Sequence, residues 1–192
     1  RNPLVTAIAT TATLSTIYFI DVLFNLFVIS KSLHFPPEID ISDEDVAKLT
    51  DKELPVYSIL CPLYKEAKVL PQFVHAMSEL EYPKNKLDIM LLLEEDDTAT
   101  IEEAKRLHLP SYFRIVIVPD SQPKTKPKAS NYGLGMAKGE YVVVYDAEDK
   151  PELTQLKKAY IAFQRADEAI VCLQAKLNYY NPTHNVLTRL FT

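Results

Sequence analysis

Asp146 and Glu148 close the run Gly139-Glu140-Tyr141-Val142-Val143-Val144-Tyr145, and their spacing is the clearest chemical signal in the chain. The run is β-branched and aromatic, is bounded by glycine, and reads as a buried strand. Alternate side chains of an extended segment point the same way, so the two carboxylates can offer oxygens to one hard divalent cation at the carboxyl end of a sheet. That edge is where open α/β sheets bind ligands. A Mg²⁺ or Mn²⁺ ion held by one or two carboxylates completes its shell with water and phosphate oxygens, which points to a nucleoside diphosphate as the partner. The competing reading of Asp146-Ala147-Glu148-Asp149 is an acidic turn that caps a helix starting near Pro151.

Other polar clusters fall where strands are expected to end. Pro62-Leu63-Tyr64-Lys65-Glu66 follows one apolar run and Glu94-Glu95-Asp96-Asp97 follows the next. An aromatic ring stacks on a nucleobase, and a carboxylate accepts from an imide N–H or a ribose hydroxyl, so together they make a nucleoside pocket. Taken alone, the acids 94–97 equally suit a helix N-terminus. Lys124, Lys126 and Lys128 precede a further helix, where a lysine can neutralise a diphosphate as a point charge. A basic loop on an acidic surface is the plainer alternative. Base pocket, lysine and metal carboxylates at successive βα junctions favour a functional site.

The elements that must position these residues alternate. Strands are expected at 56–61, 87–93, 114–118, 140–145 and 169–177, and helices at 67–80, 98–107, 128–137 and 151–165, the pattern of βαβ units with a mostly parallel sheet. With only 3 glycines, at 133, 135 and 139, the chain has no G-x-G-x-x-G or Walker loop, which argues against dinucleotide and P-loop folds. Residues 4–29 carry Asp21 and Asn25 as their only strongly polar side chains and exceed the roughly 20 apolar residues that a bilayer span needs. A carboxylate at the bilayer centre costs at least ~2.5 kcal/mol, so Asp21 should face other helices or an interface. The alternative is a buried helix of a soluble protein. Basic residues on both sides of the span, Arg1 before it and Lys31 after it, leave its orientation open. Residues 38–53 are acidic and read as a solvated connector with a short helix around 43–49. The net charge of -5 argues against nucleic acid as a partner. Cys61 and Cys172 lie in apolar, strand-like contexts without metal-site spacing and are expected as buried thiols.

The order Pro62-x-Tyr64-x-Glu66, a strand with paired acids, Lys128-x-x-Asn131-x-Gly133-Leu134, then Gly139-Glu140-x-Val-Val-Val-x-Asp146-Ala147-Glu148-Asp149-x-Pro151 resembles the inverting family-two glycosyltransferases of GT-A fold. It is most similar to the membrane-embedded, cellulose-synthase-like polysaccharide synthases, over about residues 55–182. The resemblance implies a Rossmann-like α/β domain with a mostly parallel sheet and flanking helices, preceded by a transmembrane helix. The division would be 1–34 for the span, 35–54 for the connector and 55–192 for the glycosyltransferase domain. It implies that Tyr64 and Glu66 contact uridine, that Glu94 and Glu95 stand where paired aspartates bind the base, and that Lys128 meets the diphosphate. Asp146 and Glu148 match a metal motif that is more often Asp-x-Asp, and Gln174 resembles a strand residue near the acceptor channel. The implied cofactor is Mg²⁺ or Mn²⁺. The implied partners are a nucleotide-sugar donor, a glycan or lipid acceptor and a membrane, inner or plasma, crossed several times by the whole protein with the catalytic domain cytosolic.

The family's base motif and its Gln-x-x-Arg-Trp motif are missing, and the chain has no tryptophan. The expectation is therefore the amino-terminal part of a longer synthase whose base lies beyond Thr192. A nucleotidyltransferase and a non-catalytic nucleotide-binding or scaffold subunit are the alternatives.

Overall fold

The computed structural model describes residues 2–34 and 38–177. The chain divides into two compact units, Arg1–Asp40 and Ile41–Thr192.

The first unit is one helix, α1 (Pro3–His34), with no buried residue. Its 32 residues extend about 48 Å at 1.5 Å per residue, more than the ~30 Å hydrocarbon core of a bilayer. It is the helix among the described residues that is long and apolar enough to cross a membrane. Several of its polar side chains find partners within the helix, which suits a lipid environment. Thr13 and Thr16 donate to the carbonyls of Ala9 and Ala12 at 2.9 and 2.8 Å. The Asn25 amide donates to the carbonyl and carboxylate of Asp21 at 2.8 and 3.2 Å, so Asp21 has one local partner.

The second unit opens with α2 (Asp43–Ala47), held by a reciprocal capping box between Ser42 and Asp45. The acidic stretch is largely exposed and carries the expected short helix, through which it is tied to the domain. Asp43 pairs with Lys158 at 3.1 Å and Asp45 with Arg165 at 2.7 Å, both on α6 (Gln155–Arg165). Val46 and Leu54 are buried beside them. Hydrogen bonds from Arg165, then from Ser42, hold the Asp45 carboxyl down at about 2.

Four parallel strands form the sheet: β1 (Tyr57–Leu63), β2 (Leu87–Glu94), β3 (Phe113–Val118) and β4 (Tyr141–Val144), in the order β3-β2-β1-β4. Every residue of β1 and β2 is buried, which is why their sequences run apolar without alternation. The crossovers are α3 (Leu70–Glu79), α4 (Thr98–Arg106) and α5 (Lys126–Leu134). One face of the sheet, with Ile59, Cys61, Ile89 and Leu91, packs on Leu70, Phe73 and Met77 of α3, Ala104 of α4 and Leu156 of α6. The other, with Leu60, Met90, Leu92 and Val116, packs on Ala129 of α5. Gly133 allows that approach, since a Cβ there would lie 2.7 Å from the Leu92 side chain. From β1 the chain steps outward to β2 and β3, then returns to β4 on the opposite side of β1. The strand order therefore reverses between β1 and β4, and the carboxyl edge beside this point is where open α/β sheets bind ligands.

A buried polar network ties the amino end of this arrangement together. Arg114 donates twice to Asp88, at 2.6 and 2.8 Å, and Ser58 donates to the same carboxylate at 2.8 Å. The Lys138 N–H donates to Asp88 at 3.1 Å and the Gly139 N–H to Ser58 at 2.8 Å, which pins the chain as it enters β4. Glycine is required there because a Cβ would meet Ser58 N at 2.4 Å and the Tyr141 carbonyl at 2.7 Å.

Several expectations need correction. Residues 169–177 form no strand: they hydrogen-bond to no strand among the described residues, and Val171 and Leu177 are 88% and 82% exposed. β-propensity without a ladder partner does not make a strand. Cys172 is accordingly exposed, while Cys61 is buried as expected, and burial pushes its thiol up. Helix α5 begins at Lys126 and not 128, because Thr125 caps it by accepting from Lys128 N–H and Pro127 suits its first turn. Helix α6 begins at Gln155 and not at Pro151; the Leu153 carbonyl accepts instead from Glu81 N–H at 2.9 Å.

Candidate functional site

A cavity at the carboxyl edge of the sheet gathers residues from three chain segments, after β1, at the end of β2 and at the start of α5. Immediately after β1, Lys65 takes a left-handed backbone with φ 59°, a costly conformation for a residue with a Cβ. Asp97 holds it there: one carboxylate oxygen accepts from Lys65 N–H at 2.5 Å and the other from Thr100 N–H at 3.2 Å, capping α4. Of the four acids, Asp97 therefore plays the helix-capping part. This turn throws Tyr64 and Glu66 over the end of the sheet.

Tyr64, Glu66 and Glu94 line a cavity of about 240 Å³ together with Lys124, Thr125 and Lys126. Tyr64 donates to Asp96 at 3.3 Å, and the Lys124 ammonium lies 5.5 Å from its ring centre. Glu66 is the unusual member. Its Oε2 is buried without a hydrogen-bond partner. Burial raises its pKa, the Lys126 charge opposes this, and the charges of Glu148, Asp146 and Asp97 add to the rise. An orphaned, part-buried carboxyl facing a cavity is a group that a ligand donor can satisfy. A larger hollow of about 350 Å³ lies by α2 and α6, lined by Asp43, Leu49 and Thr154, and collects no comparable chemistry.

Beyond β4 the alternation read from the sequence holds. Tyr145 and Ala147 are buried, with the Tyr145 hydroxyl donating to Gln155 at 2.7 Å, while Asp146 and Glu148 turn outward. Asp149 accepts from Asp146 N–H at 2.8 Å and makes the turn. The Asp-Ala-Glu-Asp run thus divides its labour, with Asp149 structural and Asp146 presented at the carboxyl edge of the sheet.

The three lysines reach four different carboxylates. Lys124 pairs with Asp96 and, at 2.9 Å, with Asp120. Lys126 pairs with Asp146 at 2.7 Å. Lys128 pairs with Glu94 at 2.8 Å, where the side chains are only 20% and 4% exposed. Lys128 thus stands on the wall behind Glu94, whereas Lys126 reaches Asp146. The sequence offered Lys124, Lys126 and Lys128 together as candidates to meet a diphosphate, and only the family resemblance singled out Lys128; Asp96 was read only as part of the acidic cluster 94–97. Glu95 turns away from the cavity and accepts from Asp120 N–H at 3.1 Å. Gln174 is exposed on the irregular segment and does not reach the cavity lining.

Among the described residues no three Asp, Glu, His or Cys side chains gather closely enough to hold a metal by themselves. Asp146 and Glu148 nevertheless fit a hard cation that takes its remaining ligands from water and phosphate, and the Lys126 ammonium already occupies a cation position on Asp146.

Residues 58–191 match the family described as Glycosyl transferase family 2. The chain is 30% identical over 142 residues to the probable glycosyltransferase YdaM of Bacillus subtilis (strain 168), covering 72% of this chain and 33% of that protein. It is 25% identical over 198 residues to glucomannan 4-beta-mannosyltransferase 1 of Oryza sativa subsp. japonica, covering 96% of this chain and 38% of that one. The chain therefore spans about a third of the length of these relatives. The solved structure of mannosyltransferase PcManGT from Pyrobaculum calidifontis, in complex with GDP-Man and Mn²⁺, superposes with a TM-score of 0.60 at 22% identity, over 82% of this chain and 44% of that one, and shows the GT-A fold.

Proposed function

We propose, because the chain belongs to glycosyl transferase family 2, that it binds a UDP-sugar and serves transfer of the sugar, with inversion, to a growing polysaccharide or glycolipid at a membrane. The observation that carries this reading is the cavity at the carboxyl edge of the sheet, where Tyr64, the orphaned Glu66 carboxyl, Lys124 and Lys126 meet, with Lys126 reaching across to Asp146. Tyr64 offers a ring face to uracil, and Glu66 and Glu94 accept from the base or ribose. Lys126, with Lys128 behind it, neutralises the diphosphate as charge develops on it. Asp146 and Glu148 would hold a Mg²⁺ or Mn²⁺ ion, which supplies further positive charge to the departing diphosphate. A single displacement at the anomeric carbon inverts it, so an α-linked donor yields a β-linked product. No residue of this chain is assigned as the base that deprotonates the acceptor.

Calorimetry on the full chain in detergent with Mn²⁺ tests the donor. UDP is expected to bind at least about tenfold tighter than GDP or ADP, since a site built to hydrogen-bond one base leaves polar groups unpaired with another. GDP is the informative competitor, given the GDP-Man in the fold neighbour. Equal or tighter binding of either purine nucleotide refutes the uridine assignment.

The membrane part of the reading rests on α1, which has no buried residue. The chain is expected to stay in the membrane pellet after carbonate extraction. Release into the supernatant would refute a spanning helix.

A further inference from the structure

We propose that Lys126 is the resident counter-ion of the metal carboxylate, so that a divalent cation and a nucleoside diphosphate each bind this site weakly alone and strongly together. The inference rests on the donor-site reading and adds an order to it.

The three lysine pairs differ in how easily they exchange. Lys128 and Glu94 are held between the helix and the sheet, at 20% and 4% side-chain exposure, and Lys128 is further fixed by donating to the Ser121 carbonyl at 3.2 Å. Lys126 and Asp146 are 51% and 45% exposed, and this 2.7 Å contact is the hydrogen bond that Lys126 makes through its ammonium. A half-exposed ion pair is weak and re-pairs readily. The backbone beneath it is anchored by the Thr125 cap and Pro127, so re-pairing requires only a side-chain swing.

The chemistry of the exchange follows from what each ligand leaves behind. A cation arriving alone must displace the ammonium from Asp146 and leaves two positive charges side by side. A diphosphate arriving alone draws Lys126 towards its oxygens and leaves Asp146, with Glu148 and the orphaned Glu66 nearby, facing a polyanion. When both arrive, the pairs exchange: the cation takes Asp146 and Glu148, and the ammonium takes the phosphate. Such coupling is reciprocal and typically amounts to 5–150-fold in affinity.

Lys126→Gln tests this, with Lys126→Arg as the conservative comparison. Mn²⁺ binding to the full chain in detergent is read from the electron paramagnetic resonance signal of free Mn²⁺, without and with UDP, and UDP binding without metal is read by calorimetry. In Lys126→Gln, Mn²⁺ alone should bind about tenfold tighter, UDP alone should bind more weakly, and the factor by which UDP enhances Mn²⁺ binding should shrink at least fivefold. Lys126→Arg should keep the wild-type pattern. Intact UDP binding combined with an unchanged or weaker Mn²⁺ affinity in Lys126→Gln overturns this inference alone. Failure of UDP to bind any form, with or without Mn²⁺, overturns the donor reading and the coupling with it.

Discussion

Asp146→Asn is expected to weaken metal-dependent UDP binding by about 100-fold or more and to leave the fold unchanged. The loss is large because the carboxylate is one of the two, among the described residues, proposed to hold the cation. Even outer groups that orient metal ligands cost 10–100-fold when removed. The fold should survive because the side chain is 45% exposed, and its turn is made by the backbone N–H that donates to Asp149, a bond asparagine keeps. Surface substitutions of this kind move stability by about 0.5 kcal/mol at most. Lys126 loses its partner in this variant and stays available to phosphate, so UDP binding without metal should not fall. Glu148→Asp should be milder, since the charge remains. UDP affinity with and without Mn²⁺, measured beside a thermal melt, checks all of these. Unchanged metal dependence in Asp146→Asn would reduce the Asp146–Asp149 run to a turn and take away the chemical basis of the proposed function.

The largest effect on stability is expected at Asp88, far from the ligands. Asp88→Ala removes the acceptor of two Arg114 bonds, the Ser58 hydroxyl and the Lys138 N–H in one step. Breaking a buried pair by removing one partner costs about 3–5 kcal/mol, a large share of the 5–15 kcal/mol that holds a typical domain. The pH dependence identifies the cause. Burial pushes the Asp88 carboxyl up, but the hydrogen bonds from Arg114, Ser58 and Lys138 and the Arg114 charge together outweigh it and hold the carboxyl below its ordinary value. A depressed pKa contributes stability that is complete above the unfolded value, about 3.9, and is lost as pH falls through the folded value. Urea unfolding of the wild type should therefore show stability falling as pH drops below about 4, and Asp88→Ala should be weaker at neutral pH with a shallower acid limb. A wild-type urea midpoint in Asp88→Ala at pH 7 would contradict this. The network also pins Lys138 and Gly139 at the entry to β4, so donor binding should weaken in this variant as well, by less than in Asp146→Asn.

Periodicity and residue type were enough to determine the four parallel strands, the crossover helices, the apolar helix α1 and the outward face shared by Asp146 and Glu148. Each of these depends on local physics: apolar runs buried on both faces in β1 and β2, caps such as Asp97, and the two-residue alternation of an extended chain. The expected burial of β4 did not hold, since Val142 and Val144 on this edge strand are exposed. The family was legible for the same reason, because its motifs lie at successive strand ends and keep their order along the chain. Pairing across the site was not legible. Which lysine of 124, 126 and 128 meets Asp146 depends on where α5 starts and how closely Gly133 lets it approach Leu92, and both are settled by packing. The division of the four acids 94–97 among cavity, surface and helix cap depends on the left-handed turn at Lys65, a residue distant in sequence. The apolar segment 169–177 shows the same limit from the other side: β-propensity is a local property, but a strand exists only where tertiary structure brings a neighbour to complete its hydrogen bonds.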